Sequence, residues 1–136
     1  MKTVIDILKR GGGWHLGLYL KIANPPYLEL VIESLDESGP MGLPAISVAH
    51  YGQQNGDLMR DPEMCFELAS DEESLDPYYW RNDYVGIEQW SRYIRDGDYL
   101  YLLDVQRDHE RFAKLWDNNL HLQGFAEVFT DKCVLG

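Results

Sequence analysis

The residues best suited to chemistry lie between His50 and Glu63. This stretch offers the imidazole of His50, the phenol of Tyr51, the amide of Asn55, the guanidinium of Arg60 and the carboxylates of Asp57, Asp61 and Glu63. A hydrolytic metal site needs oxygen or imidazole ligands and one open coordination position. His50, Asp57, Asp61 and Glu63 would supply such ligands if the hairpin folded back on itself. Their spacing fits no metal signature. There is no His-Glu-x-x-His, and His109-Glu110 has no partner histidine at the right distance. Asp57 and Asp61 are not followed by the glycine and glutamate of a calcium loop. The expectation is therefore no resident metal and no cofactor. The seven residues named first stand as a candidate binding set. The competing account is turn chemistry, in which Asn and Asp bond nearby backbone and Pro62 sets a dihedral.

Other catalytic arrangements fall away on similar grounds. Cys65 alternates with core positions beside Glu63 and Glu67, and nearby carboxylates raise a thiol pKa, so it is a poor nucleophile. Strand parity puts Ser47 and His50 on opposite faces, so no Ser-His pair forms there. Gly11-Gly12-Gly13 lacks the Gly-Lys-Ser/Thr tail of a phosphate loop and has no preceding strand. Tyr78, Tyr79, Trp80, Tyr84 and Trp90 could stack on bases, but no basic groove accompanies them. Core and interface packing is the expectation for these rings.

The charge map bears on partners. The net charge is −11, and it is all generated between Ile22 and Trp80, where twelve acids face one base, Arg60. Affinity for nucleic acid comes from Lys and Arg, so direct DNA or RNA binding is not expected. An anionic membrane surface is disfavoured for the same reason. Glu29, Glu33, Glu67 and Asp71 are expected to form an acidic surface that meets a basic protein. Ordinary solubility is the plainer reason for such charge.

The elements that position these groups follow from periodicity. Val4, Ile5 and Leu8 give a helix over 3–10, with Thr3 and Asp6 in a capping-box pattern and the three glycines ending it. Trp14, Leu16, Leu18, Leu20 and Ile22 alternate as one strand face, and Asn24-Pro25-Pro26 turns the chain into a second strand through Leu28, Leu30 and Ile32. Ile46 and Val48 start a third strand, and Asn55-Gly56 turns it into a fourth containing Met64, Phe66 and Leu68. Tyr78 to Gln89 reads as one long fifth strand, bent at Gly86. Trp90, Tyr93 and Ile94 have helical spacing. Phe112, Leu115, Trp116 and Leu120 mark a helix over 108–121, and Phe125 to Phe129 reads as a last short strand.

The sum is α+β: a curved antiparallel sheet of about five strands packed by an N-terminal and a C-terminal helix. Trp14, Leu16, Leu18, Leu30, Phe66 and Trp116 are the expected core. The 136 residues suit a single domain spanning 1–136. No apolar run approaches the roughly 18 residues of a membrane span. The opening MKTVIDILKRGGG has its short apolar stretch broken by Asp6 and is not expected to act as a secretory signal. Cys65 and Cys133 make no disulfide framework, so a cytoplasmic, reduced setting is expected.

The run His50-Tyr51-Gly52-Gln53-Gln54-Asn55-Gly56-Asp57-Leu58-Met59-Arg60-Asp61-Pro62-Glu63-Met64, followed by Arg81-Asn82-Asp83-Tyr84-Val85-Gly86-Ile87-Glu88-Gln89, resembles an uncharacterised domain family. That family occurs in bacterial plasmids, conjugative elements and phages. The resemblance covers about Ile46 to Gln89 and extends toward Ile5; the chain from Trp90 onward carries none of it. It implies a setting, mobile DNA, and transfers no catalytic residue. The function expected is a non-catalytic acidic accessory domain that binds a basic protein, with nucleic-acid mimicry as one form of that binding. A metal-dependent hydrolase or nuclease using the His50–Glu63 cluster is the alternative. A ligand-binding domain with a pocket between sheet and helix is a third.

Overall fold

A computed structural model describes residues 1–129. The elements run α1 (Lys2–Arg10), β1 (Tyr19–Ile22), β2 (Glu29–Ser34), β3 (Ala45–Gln54), β4 (Asp57–Leu68), β5 (Leu75–Asn82), β6 (Ile87–Trp90), β7 (Arg92–Arg95), β8 (Asp98–Tyr101), α2 (Leu103–Leu122) and α3 (Phe125–Val128). Strands β1 to β6 form one antiparallel sheet in chain order, and β7–β8 is a separate hairpin. The fold is α+β with an open sheet of six strands rather than five. No helix among the described residues is long and apolar enough to cross a membrane. Cys133 lies outside the described residues.

All three helices cover one face of the sheet. Val4 and Leu8 of α1, Trp116 and Leu120 of α2 and Phe125 of α3 meet Leu20, Ile32, Val48 and Phe66 in one core. The α1 start differs from the capping-box expectation: its N-cap is Met1, without a side-chain bond. The free Thr3 N–H instead donates to Asp117 Oδ1 of α2 at 2.9 Å, so the cap comes from a neighbouring helix. Lys9 and Arg10 in the last turn complement the helix dipole.

Several expected elements are corrected. Strand β1 begins at Tyr19, not Trp14, because Gly17 at φ 80° and a Leu18 N–H to His15 carbonyl bond make a turn first. Leu16 is consequently 67% exposed, while Leu18 is buried and Trp14 half-buried. The single strand over 78–89 is two strands. Asn82 Oδ1 accepts the Tyr84 N–H at 2.9 Å and Gly86 takes φ 66°, which closes a turn between β5 and β6. The helical spacing at Trp90, Tyr93 and Ile94 is coincidental, since Asp96 (φ 53°) and Gly97 (φ 83°) form a tight hairpin turn between β7 and β8.

Helix α2 starts five residues before the expected 108, and its buried stripe is Gln106, His109, Ala113, Trp116 and Leu120. That spacing of three and four leaves Leu115 67% exposed, outside the stripe. Phe125 to Val128 is a short helix, not a strand, entered through Gly124 at φ 78°.

Candidate functional site

The structure separates the seven residues of the candidate set. At the β3–β4 register shift, Ala49 pairs with Glu63 and Tyr51 with Arg60, so Asp61-Pro62 together oppose His50. His50 points to the helix side, with ring centroids 5.5 Å from Trp116 and 5.6 Å from Phe125. Its Nδ1 lies 3.2 Å from the Glu29 carbonyl oxygen. Asn55 is the turn residue at the hairpin tip (φ 53°), with Asp57 exposed beside it. Asp61 accepts a 2.7 Å bond from Asn82 Nδ2. Tyr51, Arg60 and Glu63 meet on the open face of the sheet, while the Asp61 charge reaches His50. No group of three or more His, Cys, Asp or Glu among the described residues is placed to hold a metal ion. Contacts between the 50–63 and 81–89 strings tie two hairpin tips together. Asp83 accepts the Arg60 N–H at 2.8 Å, and a Cβ on Gly52 would lie 2.4 Å from Tyr84 Oη.

His50 and His109 are both buried, and burial lowers both pKa values below the ordinary 6.5. Each thus keeps its neutral form to a lower pH in the folded chain than in the unfolded one. The unfolded chain therefore binds more protons below pH 6.5, and stability should fall as pH drops through that value. The slope is at most about 1.4 kcal/mol per pH unit for each histidine. Glu33 and Asp76, raised chiefly by burial, act in the opposite sense as pH approaches their ordinary 4.5 and 3.8, so the decline should slow there. Urea unfolding across this range checks it. A double His50→Gln, His109→Gln variant should flatten the dependence, and a wild-type protein indifferent to pH between 7 and about 5 would contradict it.

The open face is a network of charge. Arg60 Nε lies 3.3 Å from Glu63 Oε1, and Ser47 Oγ donates to Glu63 Oε2. Arg81 Nε lies 2.7 Å from Asp83 Oδ1 and Tyr79 Oη donates to Glu88 at 2.7 Å. Burial, with Glu63 and Glu33 nearby, pushes the Cys65 thiol far up, so this cysteine stays protonated and inert. Burial leads that shift, ahead of the neighbouring carboxylates the sequence pointed to.

The acidic surface set is also divided. Glu29 pairs with Lys21 at 3.1 Å, Glu33 lies close enough to Glu63 for that charge to raise its carboxyl pKa, and Asp71 is exposed. Glu67 is not on the surface at all: it is 1% exposed. Its Oε1 accepts from Arg92 Nη1 at 2.6 Å, and its Oε2 accepts the Met41 and Leu43 N–H groups at 2.8 and 3.2 Å. A Cβ on Gly39 would fall 2.1 Å from Glu67 Cγ, so only glycine lets this loop close over the carboxylate.

That carboxylate joins the two walls of a groove of about 1030 Å³ on the open face. One wall is the loop from Leu35 to Pro40, and the other comes from β6, β7 and the start of α2. The β4–β5 register slips between Cys65 and Phe66, leaving Tyr78 as the extra residue. Tyr78 and Tyr79 thereby both join Ala45 and Cys65 in a second apolar cluster that floors the groove. Trp90 packs on Tyr79 with centroids 4.5 Å apart at 60°, and on Tyr78 at 6.3 Å. Asp36, Glu37 and Glu63 line the same groove, with Arg95 as its one base. Sequence reading singled out Tyr78, Tyr79 and Trp90 but missed the groove, because the bulge and hairpin that build it have no periodic signature.

No curated protein and no solved structure matches the chain. Residues 2–126 do match a family described as "Domain of unknown function (DUF6908)", a span that takes in β1 to β8 and nearly all of the helical layer, and the chain belongs to that family.

Proposed function

We propose that this chain is a non-catalytic binding domain that receives a basic protein segment on the open face of its sheet. The observation that carries the reading is the groove: an apolar, aromatic floor with three carboxylates and a single arginine around it. Apolar floor with charged rim is the make-up of a protein-binding surface, and the sign of the rim selects a basic partner. The net charge of −11 adds a long-range field of the same sign. A bacterial mobile-element setting and a cytoplasmic location fit such an accessory domain and belong to the same proposal. Mimicry of nucleic acid has less behind it, since Glu67 is buried and Glu63 is held by Arg60. The hydrolase alternative has no observation in its favour, with His50 and Glu63 on opposite faces of the sheet.

The test is binding kinetics on the full chain. Alternating Leu/Arg peptides should bind, and Leu/Glu peptides, duplex DNA and RNA should not. Rising salt should weaken binding mainly through slower association. Asp36→Lys with Glu37→Lys should slow association about tenfold, as removal of electrostatic steering does. Direct binding of DNA or RNA, or peptide affinity indifferent to salt, would refute the reading.

A further inference from the structure

The aromatic corner of the groove has a more specific chemistry than an apolar floor. Trp90 is 46% exposed although it packs against Tyr79 and Tyr78, so part of its indole is open to the groove. Tyr93 lines the same space, and Glu63 lies at the floor. Ring faces carry negative potential, and an indole face holds a cation best. The protein already uses this contact nearby. The Arg95 guanidinium carbon lies 5.2 Å from the Tyr93 ring centroid, and that of Arg92 lies 5.9 Å from Tyr78. Arg92 is buried behind the floor, but Arg95 is exposed at the groove itself. Among the charged groups lining the groove, Glu63 is paired with Arg60, and Asp36 and Glu37 together outnumber Arg95, so the local field favours a further cation.

Resting on the binding function proposed above, we infer that the open part of the Trp90 ring, backed by the buried Tyr79, is a seat for one cationic side chain of the incoming segment, held by the indole face with carboxylates around it. The guanidinium of arginine suits the seat well, because its flat, weakly hydrated group stacks on rings. Arg95 is then a competitor at the mouth. It shields Tyr93 and repels the incoming charge, so its removal should tighten binding, whereas an apolar groove would be indifferent to it.

The experiment uses the full chain and two acetylated, amidated peptides, Leu-Arg-Leu-Arg-Leu and the same sequence with citrulline for arginine. Citrulline keeps the shape and loses the charge. Affinities are measured at high salt, where the general field is screened and close contacts persist. The arginine peptide should bind about tenfold tighter than the citrulline peptide. Trp90→Ala should remove most of that ratio, Trp90→Phe should keep part of it, and Arg95→Ala should increase arginine-peptide affinity. Nuclear Overhauser contacts from arginine side-chain methylenes to the Trp90 ring in the wild-type protein give a readout that does not depend on how well a variant folds. Equal affinity for both peptides at high salt, or a ratio unchanged in a folded Trp90→Ala protein, would overturn the seat. If the ratio survives Trp90→Ala while Asp36→Lys with Glu37→Lys abolishes binding, the seat fails and the acidic docking surface stands. If neither peptide binds at any salt, both fail.

Discussion

Glu67→Ala should cost about 3–5 kcal/mol of folding stability, because it strands a buried guanidinium. Arg92 is 1% exposed, and Glu67 is its 2.6 Å partner; the other carboxylate in reach, Asp76, is 3.4 Å away with about half of its side chain exposed. The Pro77 and Asp76 carbonyls accept from Arg92 Nε and Nη2 at 3.1 Å, but they bring no full charge. The same substitution frees the Met41 and Leu43 N–H groups, so the loop wall and the hairpin wall of the groove loosen together. Denaturant unfolding measures the loss. A double Glu67→Leu, Arg92→Met variant should recover a good part of it, since apolar residues often replace a buried ion pair with little penalty. Recovery should be incomplete, because the part-buried Met41 and Leu43 N–H groups lose their acceptor. A single-variant loss below about 1 kcal/mol would mean that water reaches the pair, and the account of Glu67 as the joint between the walls would fail.

Glu67 also shows where sequence reading stops. It alternates with Phe66 and Leu68 on a half-apolar strand, and every local rule places a glutamate there in solvent. What buries it is Arg92, twenty-five residues on, in a hairpin whose spacing imitates a helix. Strands β2 and β4 were legible because one face packs on helices while the other carries charge, and β3 because Ile46 and Val48 alternate with the smaller Ala45, Ser47 and Ala49; both patterns write a period of two into the sequence. Strand β6 and the β7–β8 hairpin were not, because their side chains are mostly exposed and no buried face imposes a period. The candidate site followed the same division. Asn55-Gly56 and the polar string around it were visible, and parity already puts His50 with Ile46 and Val48 on the core face, yet the register shift at Asp61-Pro62 brings Arg60 rather than Asp61 opposite Tyr51, beside Glu63 on the open face. A shift of one residue in pairing is invisible in composition and decides which groups can act together.

The clearest measurable consequence of this limit is a pair of neighbouring leucines. Leu16 and Leu18 share a strand face by alternation, and both would be core if the strand began at Trp14. Leu18 is 2% exposed, and its N–H donates to Ser34 Oγ at 3.0 Å while its carbonyl accepts the Ser34 N–H. Those bonds fix the backbone on which its side chain enters the core. Leu16 stands before Gly17, whose φ of 80° turns the chain out of the strand and into solvent. Leu18→Ala should therefore cost about 2–5 kcal/mol, the range for removing a buried leucine and leaving a cavity. Leu16→Ala should change stability by less than about 0.5 kcal/mol, as exposed positions do. The two variants lie two residues apart and delete the same atoms, so their difference reports burial alone. Denaturant midpoints with matching slopes would give it directly. Comparable losses at both positions would place the strand start back at Trp14 and return Leu16 to the core.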